Sequence, residues 1–432
     1  MFRKILFYFS LTIILFSCKE KDEFKDVDNI DLIAEKYVKL VLLTGKYDAD
    51  YVDAYFGPDS LKKAADTSKM TIDEIVAASE ALLESAQNLS ESKDDLQFSA
   101  RKEYLCRQIE ALNVKAQLLK GKKLSFDRES AALYDLLSPI YNIKIYDETL
   151  EQLNKLVPGS GELSARIENF RRDFIIPPAK LDTCFKTAIN ECRRRSSNRL
   201  KLPANEKFTV EYVKGVSWGA YNWFKGGSFS LIQVNNGLPI YIDRMIGLAA
   251  HEGYPGHHVF HSLTESELSK KRKWIEYSVY PLFSPSSSIS EGLANYGVEL
   301  SFPRNDKLAF EKKVLYPLAG LNPSLADTYE KINELVRKLE YAGNEAARRY
   351  LDGNMSREHA IEWLMKYNLM NKDRAERRLK FIEKYRSYVV TYNVGYGIIK
   401  KYIEKNSGGD QNKKWDLYLK IIMKPELIKN LK

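Results

Sequence analysis

His251-Glu252-Gly253-Tyr254-Pro255-Gly256-His257-His258 is the stretch on which the reading of this chain turns. The chain has only five histidines, and four of them fall between His251 and His261. The residues just before it, Asp243 to Ala250, read as a helix that runs into the His-Glu pair. On an unbroken helix His257 would point about 240° round from His251. His258 would return to within about 20° of it, but about 10.5 Å further along the axis. Pro255 cannot donate a hydrogen bond to the carbonyl of His251, and Gly256 tolerates unusual dihedrals. A kink or bulge is therefore expected here. Two residues absorbed in that bulge would bring His257 opposite His251. His258 remains the alternative partner, or a residue that orients a partner.

A helix carrying His-Glu-x-x-His holds zinc with two imidazoles one turn apart and uses the glutamate as a base toward water. Here the second histidine position is Pro255, so the residue types survive but the ordinary spacing does not. A third ligand is expected downstream. Ser290-Glu291-Gly292-Leu293-Ala294-Asn295-Tyr296 follows a Pro/Ser stretch, Pro285 to Ser288, that reads as a loop, and itself reads as the opening of an apolar helix. Glu291 there would complete a His2Glu set and leave a fourth position for water. Glu252, beside the first histidine, is expected to accept a proton without touching the metal.

HEGYPGHH followed by EGLANY resembles the domain-of-unknown-function 885 family, whose members carry HExxPGHH and then EGWxxY. Val234-Asn235 ahead of the motif and Thr391-Tyr392-Asn393-Val394-Gly395 near the C-terminus also match that family's pattern. The family is similar to the Taq-type carboxypeptidases and other glu-zincins, in which a Gly-His pair, here Gly256-His257, supplies the second ligand. The resemblance covers roughly residues 201 to 401. Leu293 departs from it by replacing a tryptophan, and Arg386-Ser387-Tyr388 stands where Pro-Gly-Gln is usual. It implies a zincin-like, mainly α (α+β) multi-helix body with a small antiparallel sheet beside the active-site helix. It also implies one Zn2+ per chain on His251, His257 and Glu291, with Glu252 and Tyr392 catalytic, Tyr392 as an oxyanion donor. The expected reaction is hydrolysis of short peptides near an end, by a carboxypeptidase or dipeptidase. Ser230 and Gln233, on a strand read over Ser228 to Val234, and Asn235, in the turn that ends it, are expected to hold an extended peptide by edge pairing. Two other readings stay open: a zinc-dependent amidase acting on a non-peptide or cell-wall amide, and a surface lipoprotein that binds peptide or glycan without turnover. Glu252 argues against the last, because a pure binder needs no base.

The rest of the chain sets the frame. Its 432 residues are 44% hydrophobic and 29% charged, which suits a globular protein rather than a disordered one. Lys plus Arg number 67 against 58 Asp plus Glu, a net +9 spread along the chain with no basic stripe, so no nucleic-acid partner is expected. Residues 1–17 read as a lipoprotein signal peptide. Leu15-Phe16-Ser17-Cys18 resembles a lipobox, with Cys18 the lipidated residue and membrane anchor, and residues 18–27 as a charged tether. Together these imply a cell-envelope lipoprotein of the outer membrane, exposed at the surface. Residues 28–200 read as a helical region, and 201–432 as the zinc-site region with a small sheet and C-terminal helices. Helices are expected over Ile30 to Val38, after a capping box at Thr71 to Glu74, and over Arg101 to Leu119, Glu162 to Arg171 and Ala179 to Arg193. Further ones are expected over Thr328 to Leu351, Ser356 to Lys366 and Lys372 to Tyr385. Trp218, Tyr221 and Trp223 read as core residues, His261 as a packing or rim residue, and His359 as solvated. Cys106, Cys184 and Cys192 read as buried thiols. With no Cys-x-x-Cys motif, cysteine-based zinc and redox sites are excluded.

Overall fold

A computed structural model describes residues 23–90, 95–216, 218–303 and 305–432. The signal peptide and Cys18 lie outside the described residues. The chain is mainly helical, with two small sheets. Local chemistry starts the helices where expected. Thr71 and Glu74 form a reciprocal capping box that opens the Ile72–Asn88 helix. Pro178 occupies the first turn of Pro178–Ser197, where its missing N–H costs nothing. The segment expected as one helix over Thr328 to Leu351 is two, Ala326–Lys338 and Glu340–Leu351. At Leu339 the ladder tightens to three-residue bonds, and the Asn368 side chain donates to the Leu339 carbonyl at 3.0 Å.

Strand β1, Val52–Tyr55, pairs antiparallel with the distant β5, Val279–Pro281, with a bulge between Val52 and Ala54. Strands β2 (Lys207–Val213), β3 (Ala220–Phe224) and β4 (Phe229–Asn235) form the other sheet in the order β2-β4-β3. This sheet is mixed, where an antiparallel one was expected. The chain reverses from β3 into β4 through Gly226 and Gly227, both at positive φ, and β4 then slots between its two predecessors. It runs antiparallel to β3 and parallel to β2.

Regions 28–200 and 201–432 share one hydrophobic core, in which Tyr37 and Phe185 join Ile246, Val259, Leu293 and Val390. A buried ion pair fastens the two together. Arg101 Nε donates to Glu276 Oε1 at 2.7 Å and Nη2 to Oε2 at 3.0 Å, with the Glu276 side chain fully enclosed. Cys106, Cys184 and Cys192 form no disulfide; Cys184 and Cys192 are buried as expected, whereas Cys106 is only half-buried. Among the described residues no helix is long and apolar enough to cross a membrane. Removing one partner of a buried pair strands the other charge. Arg101→Ala should therefore lower the unfolding free energy by about 3–5 kcal/mol in urea melts, while replacing both partners with apolar residues should cost clearly less.

Candidate metal centre

The site begins with a broken helix. Arg244–Leu248 is α-helical, Ala249–Gly253 widens into a π turn, and a fresh helix, His257–Leu263, starts after Gly256. In the break the Tyr254 N–H bonds back to Ala249 and the Gly256 N–H to Ala250. Gly256 lies so close to the preceding turn that a Cβ would fall 1.9 Å from the His251 carbonyl oxygen and 2.5 Å from that of Ala250. No side chain fits there. The fold-back leaves the Nε2 atoms of His251 and His257 3.1 Å apart.

Glu291 reaches the same point from the Pro285–Ser301 helix. The Pro/Ser stretch is the first turn of this helix rather than a loop before it, so Glu291 sits in its second turn. Ligand-type atoms of His251, His257 and Glu291 all lie within 4.8 Å of one another, a group that could hold a metal ion. The same helix orients both histidines: Asn295 Oδ1 lies 3.1 Å from His251 Nδ1, and Ser290 Oγ lies 3.0 Å from His257 Nδ1. With the Nδ1 atoms engaged, both Nε2 atoms are turned inward. The Tyr388 hydroxyl donates to Glu291 Oε1 at 2.9 Å. Glu291 Oε2 is buried with no hydrogen-bond partner among the described residues. It faces His251 Nε2 at 3.4 Å, a charge contact rather than a hydrogen bond. Two converging imidazole nitrogens and a buried, unpartnered carboxylate oxygen fit a zinc-type cation.

Electrostatics agree with that fit. Burial pushes His257 down to about 4, with His251 adding to the effect. Burial also lowers His251, but Glu291 and Glu252 outweigh it and its net shift is upward. For Glu291 burial works upward, yet the two histidines and the Tyr388 hydroxyl bring the carboxyl down. The group thus carries an anionic Glu291 carboxylate and a neutral His257, while the two neighbouring carboxylates draw a proton toward His251. Glu252 is buried and stays out of this group. Burial, together with Glu291 and Asp53, raises its carboxyl to about 7.

All four residues line one cleft of about 650 Å³, part of it open to solvent, with aromatic walls that include Trp218, Tyr221, Tyr280, Tyr385 and Tyr392. Tyr392 comes from a π turn, Thr391–Gly395, packed against the ligand helix. A Cβ on Gly292 would fall 2.9 Å from the backbone of Gly395, so this contact also requires glycine. The Asn295 side chain donates to the Tyr392 carbonyl at 2.9 Å, tying that turn to His251.

Several expected site residues lie elsewhere. His258 is fully buried and is not a ligand: its Nδ1 pairs with Ser230 Oγ at 2.8 Å and its Nε2 with Glu206 Oε2 at 2.9 Å. Ser230 is therefore a buried partner of His258, not a peptide contact. Asn235 is spent on the carbonyls of Val216 and Trp218, and Gln233 on Trp223 and Glu211. Both neighbours of β4 are taken, so it has no free edge for a substrate. The strand at the cleft is β3, whose Ala220, Tyr221 and Asn222 line it. Trp218 and Tyr221, expected in the core, are cleft walls. His261 packs between the Phe224 and Tyr280 rings, and His359 is exposed. Asp53 and Tyr388 also join the cleft, and the sequence assigned neither of them a role there.

No family model matches this chain, and no curated protein matches it. Two solved structures, both of putative lipoproteins, match this chain. One, from Colwellia psychrerythraea, has a TM-score of 0.50 at 13% identity, covering 86% of this chain and 71% of its own. The other, of unknown function and from Shewanella oneidensis, has a TM-score of 0.44 at 14% identity, covering 86% and 75%. The first likeness supports the overall fold and nothing finer.

Zinc added to the purified protein should bind at about one per chain by elemental analysis. His251→Ala, His257→Ala and Glu291→Ala should each lose it, since each removes one of three ligands. His258→Gln should keep it. Stoichiometric zinc in all three alanine variants would refute the assignment.

Proposed function

We propose that this protein is a zinc-dependent metallopeptidase of the glu-zincin type, hydrolysing amide bonds of short peptides. The observation that carries this reading is that Glu252, a buried carboxyl raised to about 7, opens into the same cleft as the His251, His257 and Glu291 group. When bound, zinc supplies Lewis-acid polarisation and lowers the pKa of a water to about 7. Glu252 accepts the water proton, and a base titrating near neutrality is well matched to that task. It later returns the proton to the leaving amine. Burial keeps the Tyr392 hydroxyl protonated, so it can donate a hydrogen bond to the oxyanion that develops in the cleft. Tyr388 acts at one remove, holding Glu291 in place. The free edge of β3 offers backbone groups to an extended substrate. Short peptides are favoured over folded proteins by the narrow aromatic cleft.

The site is placed at the cell envelope. Two points support this: the leader with its Cys18 lipobox, and the name of the Colwellia protein, which calls it a putative lipoprotein. The charged tether after Cys18, which resembles an export signal, supports anchoring in the outer membrane.

Two outcomes test this reading. Glu252→Gln should bind zinc and fold normally but hydrolyse peptides roughly a hundredfold or more slower, in a single-turnover assay against a peptide library. A wild-type rate in that variant would move the chemistry elsewhere. Cys18→Ser should shift the protein from the membrane fraction to the soluble one; a variant that still pellets and resists salt extraction would refute the lipid anchor.

A further inference from the structure

The cleft holds three carboxylates, Asp53, Glu252 and Glu291, and no lysine or arginine lines it. Two of the three have work in the hydrolytic reading. Asp53 has none there beyond adding to the upward shift of Glu252. It arrives from the opposite end of the sequence, on β1, and it is the residue at the bulge between Val52 and Ala54. A bulge re-aims a side chain relative to the strand on either side, and here it aims the carboxylate into the cleft. Its Oδ1 accepts a hydrogen bond from the Tyr221 hydroxyl, which fixes the orientation. That tyrosine belongs to β3, the edge strand at the cleft.

Among the described residues no lysine or arginine forms an ion pair with Asp53. Lys225 influences it from a distance but is exposed and lies over the Trp223 ring at 5.3 Å. Burial raises the Asp53 carboxyl to about 6, with Glu291 adding to the shift. The carboxylate is thus held in a partly buried, negatively charged place with no lysine or arginine paired to it among the described residues. The ring faces of Trp218 and Tyr221, 5.7 Å apart at their centroids, stand at the same part of the cleft and also attract cations.

We propose that Asp53 is a specificity-determining residue that binds a primary ammonium group of the substrate. This rests on the peptidase reading above. The group is either a free α-amine or a lysine side chain, and the place of Asp53 beside the β3 edge, where a peptide backbone would lie, suits the α-amine. The preferred substrates are then short peptides with a free amino terminus.

The test uses zinc-loaded protein and three matched short peptides: one with a free α-amine, the same peptide N-acetylated, and an N-acetylated peptide containing lysine. Wild type should cleave the free-amine peptide at least tenfold better in kcat/KM than the acetylated one. Asp53→Asn keeps the size and the Tyr221 contact but not the charge. It should lose about 10- to 100-fold on the free-amine peptide, mainly in KM, and stay within twofold on the acetylated one. Recovery of the preference by the lysine peptide alone would move the recognised ammonium to the side chain. Equal losses on both peptides, or a wild type indifferent to acetylation, would overturn the proposal. Calorimetry of the same peptides with Glu252→Gln and with Asp53→Asn/Glu252→Gln proteins keeps the two failures apart. A tenfold weaker affinity for the amine in the double variant supports Asp53 even if no peptide is turned over, and no difference refutes it.

Discussion

The site depends on one close approach of the backbone to itself. Gly256 lies against the carbonyls of Ala250 and His251 with no room for a Cβ, and this contact folds His257 back onto His251. Without it, a straight helix would carry the two imidazoles to different faces or to positions two turns apart. The π turn over Ala249–Gly253 and the restart at His257 are the local form that the contact takes. Because the backbone is fixed on both sides of the break, the two histidines are presented with little entropy left to lose when a cation binds.

The other components are brought to that point by pieces of chain far apart in sequence. The Pro285–Ser301 helix supplies Glu291 and also the two residues, Ser290 and Asn295, that turn the imidazoles inward. Its Gly292 lets the Thr391–Gly395 turn dock closely, and that turn carries Tyr392. Behind the broken helix, a buried network of Ser230, His258, Glu206 and Tyr254 holds the motif from the side away from the cleft, with Tyr254 donating to Glu206 at 2.6 Å. Of the two adjacent histidines, one faces the cleft and the other serves the scaffold.

The sequence was legible where a residue's covalent chemistry limits its options. Pro255 and Gly256 announced the break, the Glu beside His251 announced a base, and the capping box and Pro178 placed helix starts. It was less legible where a choice depends on packing. Nothing in the spacing separates His257 from His258 as the inward-facing residue; the buried acceptor Glu206 decides it, from 52 residues away. The order of the sheet was hidden too, because β3 reads as an aromatic stretch and the insertion of β4 between β2 and β3 is a matter of topology. Asp53 was invisible for a related reason. Strands of four and three residues carry almost no periodicity, and β1 finds β5 more than two hundred residues later.

The central claim is that this fold-back creates a metal centre rather than a pair of buried, hydrogen-bonded histidines. Anomalous diffraction at the zinc absorption edge, on crystals grown with equimolar zinc, tests it most directly. The account predicts a single strong peak between the Nε2 atoms of His251 and His257 and the Glu291 carboxylate, with Glu252 outside bonding distance. A peak elsewhere, or none, with the Nε2 atoms still in contact at 3.1 Å, would contradict it.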